Sequence, residues 1–278
     1  MNKLFLEKRI LVCGAGKMGS ALLKGWISQG VAPKLITVIE PSPSPWLLSL
    51  TEKGLILNPE VAQEADIFLI AVKPQMVSQA IHEQDLKKQS KALFVSIVAG
   101  TTISTLIALL GIESEIIRVM PNTPVSIRKG ISCLIGNKGV SEEQLKLAES
   151  LFSVVGKTIR LNSEEQMDVV TAISGSGPAY VFYLIETLIL AGVNLGLDRK
   201  LAESLAVLTV SGSGALAEIS DCTPDILRKN VTSPNGTTES ALKILMNNSR
   251  GLSPLMTKTI AAAVARGREL ASLTDSKT

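Results

Sequence analysis

The sequence predicts an N-terminal α/β domain, built on a doubly wound and mostly parallel sheet, followed by an all-α C-terminal domain. Short apolar runs alternate with helix-like segments through the first half of the chain, which is typical of βαβ units. Several of these runs are continuously apolar, as strands buried on both faces of a parallel sheet are. The strand signal ends near Ser163 and helix-like segments follow, so we place the domains at 1–162 and 163–278.

The first strand leads into a glycine-rich turn and a helix. Apolar residues 10–13 are followed by Gly14, Gly16 and Gly19 in a G-x-G-x-x-G pattern, and then by a helix-like segment from Ser20 to Gln29. The first glycine permits a sharp turn, the second lets a pyrophosphate approach the backbone, and the third allows close helix packing. Phosphates would bind at the positive end of the helix dipole. The first domain is therefore predicted to be a Rossmann-like dinucleotide-binding domain.

The second predicted strand, Leu35–Glu40, ends where dinucleotide folds distinguish their cofactors. An acidic residue at this position hydrogen-bonds the ribose hydroxyls and favours NAD, whereas groups just beyond it can accept the 2′-phosphate of NADP. Glu40 favours NAD, while Ser42 and Ser44 favour NADP. The residues alone leave this choice open.

The remaining elements of the first domain continue the alternation. Further strands are predicted at Asp66–Val72, Ala92–Val98, Glu115–Met120 and Gly130–Ile135, and helices at Ser44–Lys53, Gln75–Ile81, Ser104–Leu110 and Glu142–Val155. Ligands of open α/β sheets bind at the carboxyl ends of the strands. The segments Ala71–Pro74 and Ala99–Gly100, which follow two of these strands, are therefore candidate ligand contacts.

The second domain is predicted to be helical and strongly apolar. Its helices are expected at Met167–Ile173, Ala179–Leu195, Asp198–Ile219, Asp225–Lys229, Thr238–Asn247 and Leu252–Leu273. Helices this apolar are more easily buried against a second subunit than alone. We therefore expect an obligate homo-oligomer.

Composition argues against several other classes of protein. Aromatic residues make up only 3% of the chain and its basic residues are dispersed, which disfavours nucleic-acid binding. The three cysteines are far apart and form no C-x-x-C motif, so neither a disulfide framework nor a metal site is expected. Charged residues interrupt the first nine positions, and the apolar stretch Pro178–Gly192 is shorter than the ~20 residues of a membrane span. We expect a cytoplasmic protein with no membrane partner.

A polar loop in the second domain offers a site for an anionic ligand. The segment Asn230–Leu242 contains hydroxyl residues, Pro234 to fix a turn, and an Asn-Gly pair that tolerates positive φ. It could present free N–H groups to a carboxylate. The alternative is purely structural: Thr237 or Thr238 caps a helix, and Glu239 pairs with Lys243 four residues later.

Four segments together resemble the Δ1-pyrroline-5-carboxylate reductase family. They are Ala71–Pro74, Met120–Pro124, Ser174–Tyr180 and Thr232–Thr238, and the resemblance extends over essentially the whole chain in order and spacing. It implies NAD(P)H-dependent reduction of a cyclic imine to L-proline, the final step of proline biosynthesis, with NADPH preferred and a homodimer or ring of dimers as the assembly. Asn235 stands where the family usually has glycine, a mild departure because Asn tolerates the left-handed conformation.

The resemblance also implies roles for individual residues. The substrate carboxylate would rest on Gly236, on the N–H groups of Thr237 and Thr238 and on the Ser233 hydroxyl; the Thr238 hydroxyl would approach the ring nitrogen, and Glu164 would be a further substrate contact. The implied cofactor positions are Gly14, Ala15, Gly16, Lys17, Met18, Gly19, Ser42, Asn58, Ala71, Val72, Lys73, Pro74, Ala99 and Asn230.

The chemistry of an imine separates this reading from a related enzyme class. An imine is basic enough to arrive protonated, so alignment of the two reactants matters more than a strong enzymic acid. A β-hydroxyacid dehydrogenase would instead carry a lysine on the first long helix after a Gly-rich turn, and Ser174–Glu186 contains none. A cofactor-sensing protein without activity would have a decayed substrate loop, whereas Ser233, Gly236, Thr237 and Thr238 all fit the motif.

Overall fold

An eight-stranded sheet organises the first part of the chain in this computed structural model, which describes residues 4–61, 63–82, 89, 91–111 and 114–275. The strands are β1 (Ile10–Cys13), β2 (Ile36–Ile39), β3 (Ile56–Leu57), β4 (Ile67–Ile70), β5 (Leu93–Ser96), β6 (Ile116–Met120), β7 (Gly130–Gly136) and β8 (Gly156–Arg160). Their order is β3-β2-β1-β4-β5-β6-β7-β8. Neighbours are parallel except β6 and β7, which are antiparallel. The predicted doubly wound, mostly parallel sheet is confirmed.

Two of these strands were not predicted from the sequence. β3 has only two residues, too few for a periodic pattern. β8 lies at the edge of the sheet, and its residues alternate between half-buried and exposed. Its sequence, Gly-Lys-Thr-Ile-Arg, lacks the continuous apolar run that marks the buried strands.

Helices cover both faces of the sheet. They are α1 (Lys17–Ser28), α2 (Pro45–Ser49), α3 (Val77–His82), α4 (Ile103–Leu110), α5 (Glu142–Ser153) and α6 (Gln166–Val170), which continues into a π-helical turn at Thr171–Gly175. One core cluster includes Trp26 and Phe152, and the other includes Phe68 and Phe94. The indole N–H of Trp26 donates to the Leu151 carbonyl at 2.8 Å, so even this large core residue has its polar atom satisfied.

The last part of the chain is helical, as predicted. It contains α7 (Gly177–Asn194), α8 (Arg199–Ile219), α9 (Pro224–Asn230), α10 (Thr237–Leu245) and α11 (Leu252–Asp275). Contacts divide the chain into two units, one running to Gly175 and including residues from Val264 onward, the other being Ser176–Ala263. The predicted division at 162/163 follows the end of the strands instead, two residues after β8 ends at Arg160.

The second unit leaves large apolar side chains exposed. Among its described residues the buried hydrophobic side chains are Ala202 and Ala206, whereas Phe182 is 59% exposed and Leu208 70%. The 29-residue helical stretch Gln166–Asn194 contains an 18-residue window with a mean hydropathy of 1.4, enough by length and composition alone to cross a membrane, and no residue of that window is buried. It is longer than the predicted apolar stretch because α6, the π-helical turn and α7 are continuous. A surface of this kind calls for a covering partner.

Candidate functional site

The glycine turn, residues Gly14–Gly19, joins the end of β1 to the first residues of α1, and each glycine has a different environment. Gly14 has a φ of +95°, and a Cβ on it would lie 2.7 Å from the Ala71 carbonyl oxygen. A Cβ on Gly19 would lie 2.3 Å from the carbonyl oxygen of Gly14. A Cβ on Gly16 would meet nothing within 4 Å. Close packing therefore requires glycine at positions 14 and 19, whereas position 16 borders open space.

The start of α1 fits an anionic ligand beside that open space. Gly16 is the N-cap residue and provides no side-chain cap, so α1 begins at Lys17, earlier than the predicted start at Ser20. In the described chain no backbone hydrogen bond engages the N–H groups of Lys17 and Met18. Unpaired N–H groups at a helix start attract phosphate. The residues present therefore fit the pyrophosphate of a dinucleotide.

Glu40 connects the glycine turn to the loop after β2. Its carboxylate accepts hydrogen bonds from the Ala15 N–H at 2.8 Å and from the Ser42 N–H at 3.0 Å. The side-chain amide of Asn58 accepts from the Glu40 N–H at 2.8 Å and donates to the Glu40 carbonyl at 2.9 Å. Asn58 thus supports the end of β2. Ser44 caps α2 by accepting from the Leu47 N–H, so that of these two serines Ser42 is the one whose hydroxyl makes no hydrogen bond within the described residues.

Two further predicted cofactor segments lie at the carboxyl ends of the strands, as the glycine turn does. Residues 71–74 follow β4 and Ala99 follows β5, and these strands lie in the order β1-β4-β5. The Ala71 N–H donates to the Cys13 carbonyl at 2.7 Å, which joins the ends of β1 and β4. Val72 and Pro74 are half-buried, whereas Lys73 and Ala99 are exposed. The structure therefore brings these candidates to one edge of the sheet.

Glu164 forms an ion pair with the buried Arg118 that was not predicted from the sequence. One oxygen, Oε1, accepts from a guanidinium nitrogen of Arg118 at 2.8 Å and from the Ile103 N–H at 2.8 Å. The Arg118 side chain is only 4% exposed, and its Nε has no hydrogen-bond partner among the described residues. The signal was present in the sequence, because Arg118 is the one charged residue in the apolar strand β6. Glu164 therefore balances a buried charge and satisfies the start of α4.

The 233–238 loop, residues Ser233–Thr238, ends at the start of α10. The Gly236 N–H donates to the Ser233 carbonyl at 3.1 Å, and Gly236 is the N-cap residue without a side-chain cap. The alternative in which Thr237 or Thr238 caps the helix is therefore wrong. Within the described chain, no hydrogen bond engages the hydroxyls of Ser233, Thr237 and Thr238. Free N–H groups and free hydroxyls suit a carboxylate ligand.

Two other expectations concern residues around this loop. Glu239 forms the expected ion pair with Lys243, at 3.1 Å. Asn230, the last residue of α9, is exposed, and two residues separate it from the loop. The structure describes Asn230 and the 233–238 loop in one unit, and the glycine turn and Glu164 in the other.

Two family models match separate parts of the chain. The model described as pyrroline-5-carboxylate reductase dimerisation matches residues 164–270. The model described as NADP oxidoreductase coenzyme F420-dependent matches residues 9–100. The first match contains α7 and α8, on which large apolar side chains such as Phe182 and Leu208 are exposed in the single chain. The second contains the glycine turn, Glu40 and the carboxyl ends of β4 and β5.

Individual proteins resemble the chain over nearly its whole length. The pyrroline-5-carboxylate reductase of Pseudomonas aeruginosa is 38% identical over 266 residues, which are 95% of this chain and 97% of the relative. A solved pyrroline-5-carboxylate reductase structure from Coxiella burnetii superposes with a TM-score of 0.86 at 36% identity, covering 95% of this chain and 98% of the other. The Plasmodium falciparum pyrroline carboxylate reductase, solved with NADP bound, superposes with a TM-score of 0.83 at 31% sequence identity. The match covers 96% of this chain and 99% of the other.

Proposed function

The chain belongs to the pyrroline-5-carboxylate reductase family, and we propose that its glycine turn and its 233–238 loop are the cofactor and substrate sites. The protein is an oxidoreductase of proline biosynthesis that reduces pyrroline-5-carboxylate to L-proline with NADP(H) as cofactor. The observation that carries the site proposal is the start of α10, where a glycine N-cap leaves N–H groups uncapped beside three free hydroxyls.

The substrate carboxylate is proposed to bind at the 233–238 loop. The N–H groups of Thr237 and Thr238 begin α10, where the helix dipole favours an anion, and the Ser233 hydroxyl adds a donor. Gly236 keeps this approach free of a side chain. Glu164 is proposed as a further substrate contact through Oε2, because Oε1 already accepts two hydrogen bonds.

The cofactor is proposed to bind along the sheet edge described above. Its pyrophosphate would lie on Gly16, Lys17 and Met18, and the remaining contacts would come from Gly14, Ala15, Gly19, Ser42, Asn58, Ala71, Val72, Lys73, Pro74, Ala99 and Asn230. When bound, the nicotinamide supplies the hydride that reduces the C=N bond. Thr238 is proposed to orient the ring nitrogen through its hydroxyl. Because the imine is basic enough to arrive protonated, this role requires no shifted pKa.

We expect Thr238→Ala to lower kcat/KM for pyrroline-5-carboxylate about 10- to 100-fold, the value of one hydrogen bond to a charged group. The rate is measured as loss of NADPH absorbance. Thr238→Ser keeps the hydroxyl and should retain most of the activity, and both variants should bind NADPH as the wild type does. Equal kcat/KM for Thr238→Ala and wild type would remove Thr238 from the site.

Cofactor preference gives a second test, in which two substitutions should act in opposite directions. We propose that NADPH is preferred and NADH accepted, since the Ser42 hydroxyl is free to meet a 2′-phosphate while the Glu40 carboxylate repels it. Ser42→Ala should lower the NADPH/NADH ratio of kcat/KM, and Glu40→Gln should raise it, each about 5- to 10-fold. Fluorescence titration of each nucleotide provides a readout independent of turnover. A shift in the same direction for both variants would contradict this assignment.

The protein self-associates, as the match of residues 164–270 to the dimerisation model indicates. The exposed apolar surface of α7 and α8 is the region that such a partner would cover. We propose a homodimer that can assemble further into a ring of dimers. A cytoplasmic location is also proposed, and its support is the kinship with pyrroline-5-carboxylate reductases, which are enzymes of amino-acid biosynthesis.

A further inference from the structure

The 233–238 loop depends on a turn whose third residue is not glycine. The bond from the Gly236 N–H to the Ser233 carbonyl closes a four-residue turn with Pro234 in second place and Asn235 in third. Asn235 has a φ of +59°. This sequence of conformations is that of a type II turn, which requires positive φ at its third residue and favours glycine there. Asparagine adopts that conformation more readily than other non-glycine residues, but less readily than glycine.

Glu239, in the first turn of α10, holds this turn through a backbone hydrogen bond. Its Oε2 accepts a hydrogen bond from the Asn235 N–H at 2.5 Å, and its Oε1 forms the ion pair with Lys243. In a capping box, the third helical residue bonds the N–H of the N-cap residue. Here that N–H belongs to Gly236 and already donates to Ser233, so Glu239 reaches one residue further back. The Asn235 N–H and Lys243 hold the pKa of Glu239 below its usual range, so it is ionised at neutral pH.

This arrangement fixes the turn without occupying the N–H groups at the start of α10. Ser, Thr, Asp or Asn at position 236 would accept a hydrogen bond from the second or third N–H of the helix. Gly236 cannot, and Glu239 takes the Asn235 N–H rather than those of Thr237 and Thr238. The turn is therefore stabilised from outside, and the groups facing the ligand stay free.

We infer that Glu239 is a positioning residue of the substrate site: through the Asn235 N–H it holds the 233–238 loop in the conformation that receives the substrate carboxylate. This inference rests on the proposed function of that loop. Glu239 acts through Asn235 and is not assigned a contact with substrate or cofactor. Lys243 contributes less, since it only helps to orient the Glu239 carboxylate through the oxygen that does not bond Asn235.

The chain offers a matched control for the loss of a helical surface ion pair. In α9, Asp225 and Lys229 form a pair with the same four-residue spacing and the same 3.1 Å distance as Glu239 and Lys243. Asp225→Asn therefore removes an equivalent charge and ion pair without releasing Asn235. Lys243→Met removes the ion pair between Glu239 and Lys243 but leaves the hydrogen bond from the Asn235 N–H to Glu239.

The experiment compares steady-state kinetics of Glu239→Ala, Lys243→Met and Asp225→Asn with those of the wild type. We expect Glu239→Ala to raise KM for pyrroline-5-carboxylate about 5- to 10-fold, the value of one hydrogen bond of ordinary strength, because the lost bond acts on the substrate only through Asn235. Its kcat should change less than about twofold, and its NADPH dissociation constant should not change. Lys243→Met and Asp225→Asn should both stay within about twofold of wild-type KM. A KM for Glu239→Ala equal to that of Asp225→Asn would overturn the inference.

A rescue variant separates positioning from a general loss of stability. Glycine at position 235 adopts positive φ without help, so Asn235→Gly should make the loop less dependent on Glu239. The increase in KM caused by Glu239→Ala should therefore be smaller in the Asn235→Gly background. An equal increase in both backgrounds would contradict the inference. Failure of the wild type to reduce the imine at all would contradict the proposed function instead.

Discussion

Gly16→Val is expected to fold normally and to bind NADPH about 10²- to 10⁴-fold more weakly than the wild type. A Cβ at position 16 meets no atom within 4 Å, and the backbone there is extended, so the fold has room for the side chain. The pyrophosphate would have to occupy the same space. Losing two hydrogen bonds between N–H groups and phosphate, at about 1.5–3 kcal/mol each, gives the stated range.

The measurement pairs fluorescence titration of NADPH with thermal unfolding of the nucleotide-free protein. Loss of the glycine N-cap should itself cost no more than about 1 kcal/mol. Gly19→Ala is the contrasting variant, since its Cβ would lie 2.3 Å from a backbone oxygen. It should lower the free energy of unfolding by about 3 kcal/mol. Wild-type NADPH affinity in Gly16→Val would contradict the placement of the pyrophosphate.

Much of the first unit could be predicted from the sequence because its strands are continuous apolar runs. β1, β2, β4, β5 and β6 each fall within a predicted strand, and β7 extends one residue beyond the predicted strand, to Gly136. β3 and β8 could not be found in this way, since the first is too short and the second is an edge strand with charged residues. In the second unit the helices were predicted, but the sequence did not show that its buried apolar side chains are as few as Ala202 and Ala206.

The candidate site was predictable where a local motif marks it. The three glycines of the turn, Ser233 and the pair Gly236-Thr237 stand in recognisable spacings. The contacts that support these motifs could not be predicted, because they join residues distant in sequence. Ala15 and Glu40 are 25 positions apart, and Arg118 and Glu164 are 46 apart. No local sequence pattern predicts such a pairing. The hydrogen bond from the Asn235 N–H to Glu239 was also not predicted, because the spacing of Glu239 and Lys243 indicated only their ion pair.

Removing Glu164 is expected to be far more damaging than removing Arg118, although both break the same ion pair. Glu164→Ala leaves the guanidinium of Arg118 buried without its counter-charge and deprives the Ile103 N–H of its acceptor. Breaking a buried pair in this way costs about 3–5 kcal/mol. The Glu164 side chain is 29% exposed, so water screens part of the interaction and we expect about 3 kcal/mol.

Arg118→Met is expected to cost less, because methionine fills the buried space without a charge and the remaining Glu164 carboxylate can be hydrated. It also removes the Nε atom that has no hydrogen-bond partner among the described residues. The sign of the coupling follows: Glu164→Ala should lower Tm by about 6–12 °C in the wild-type background and by much less in the Arg118→Met background. Additive losses in the double variant would contradict the buried-charge explanation. Glu164 also accepts a hydrogen bond from the first N–H of α4, just after the segment that contains Ala99. Glu164→Ala alone should therefore weaken NADPH binding as well, which links the stability of the ion pair between Arg118 and Glu164 to the cofactor site.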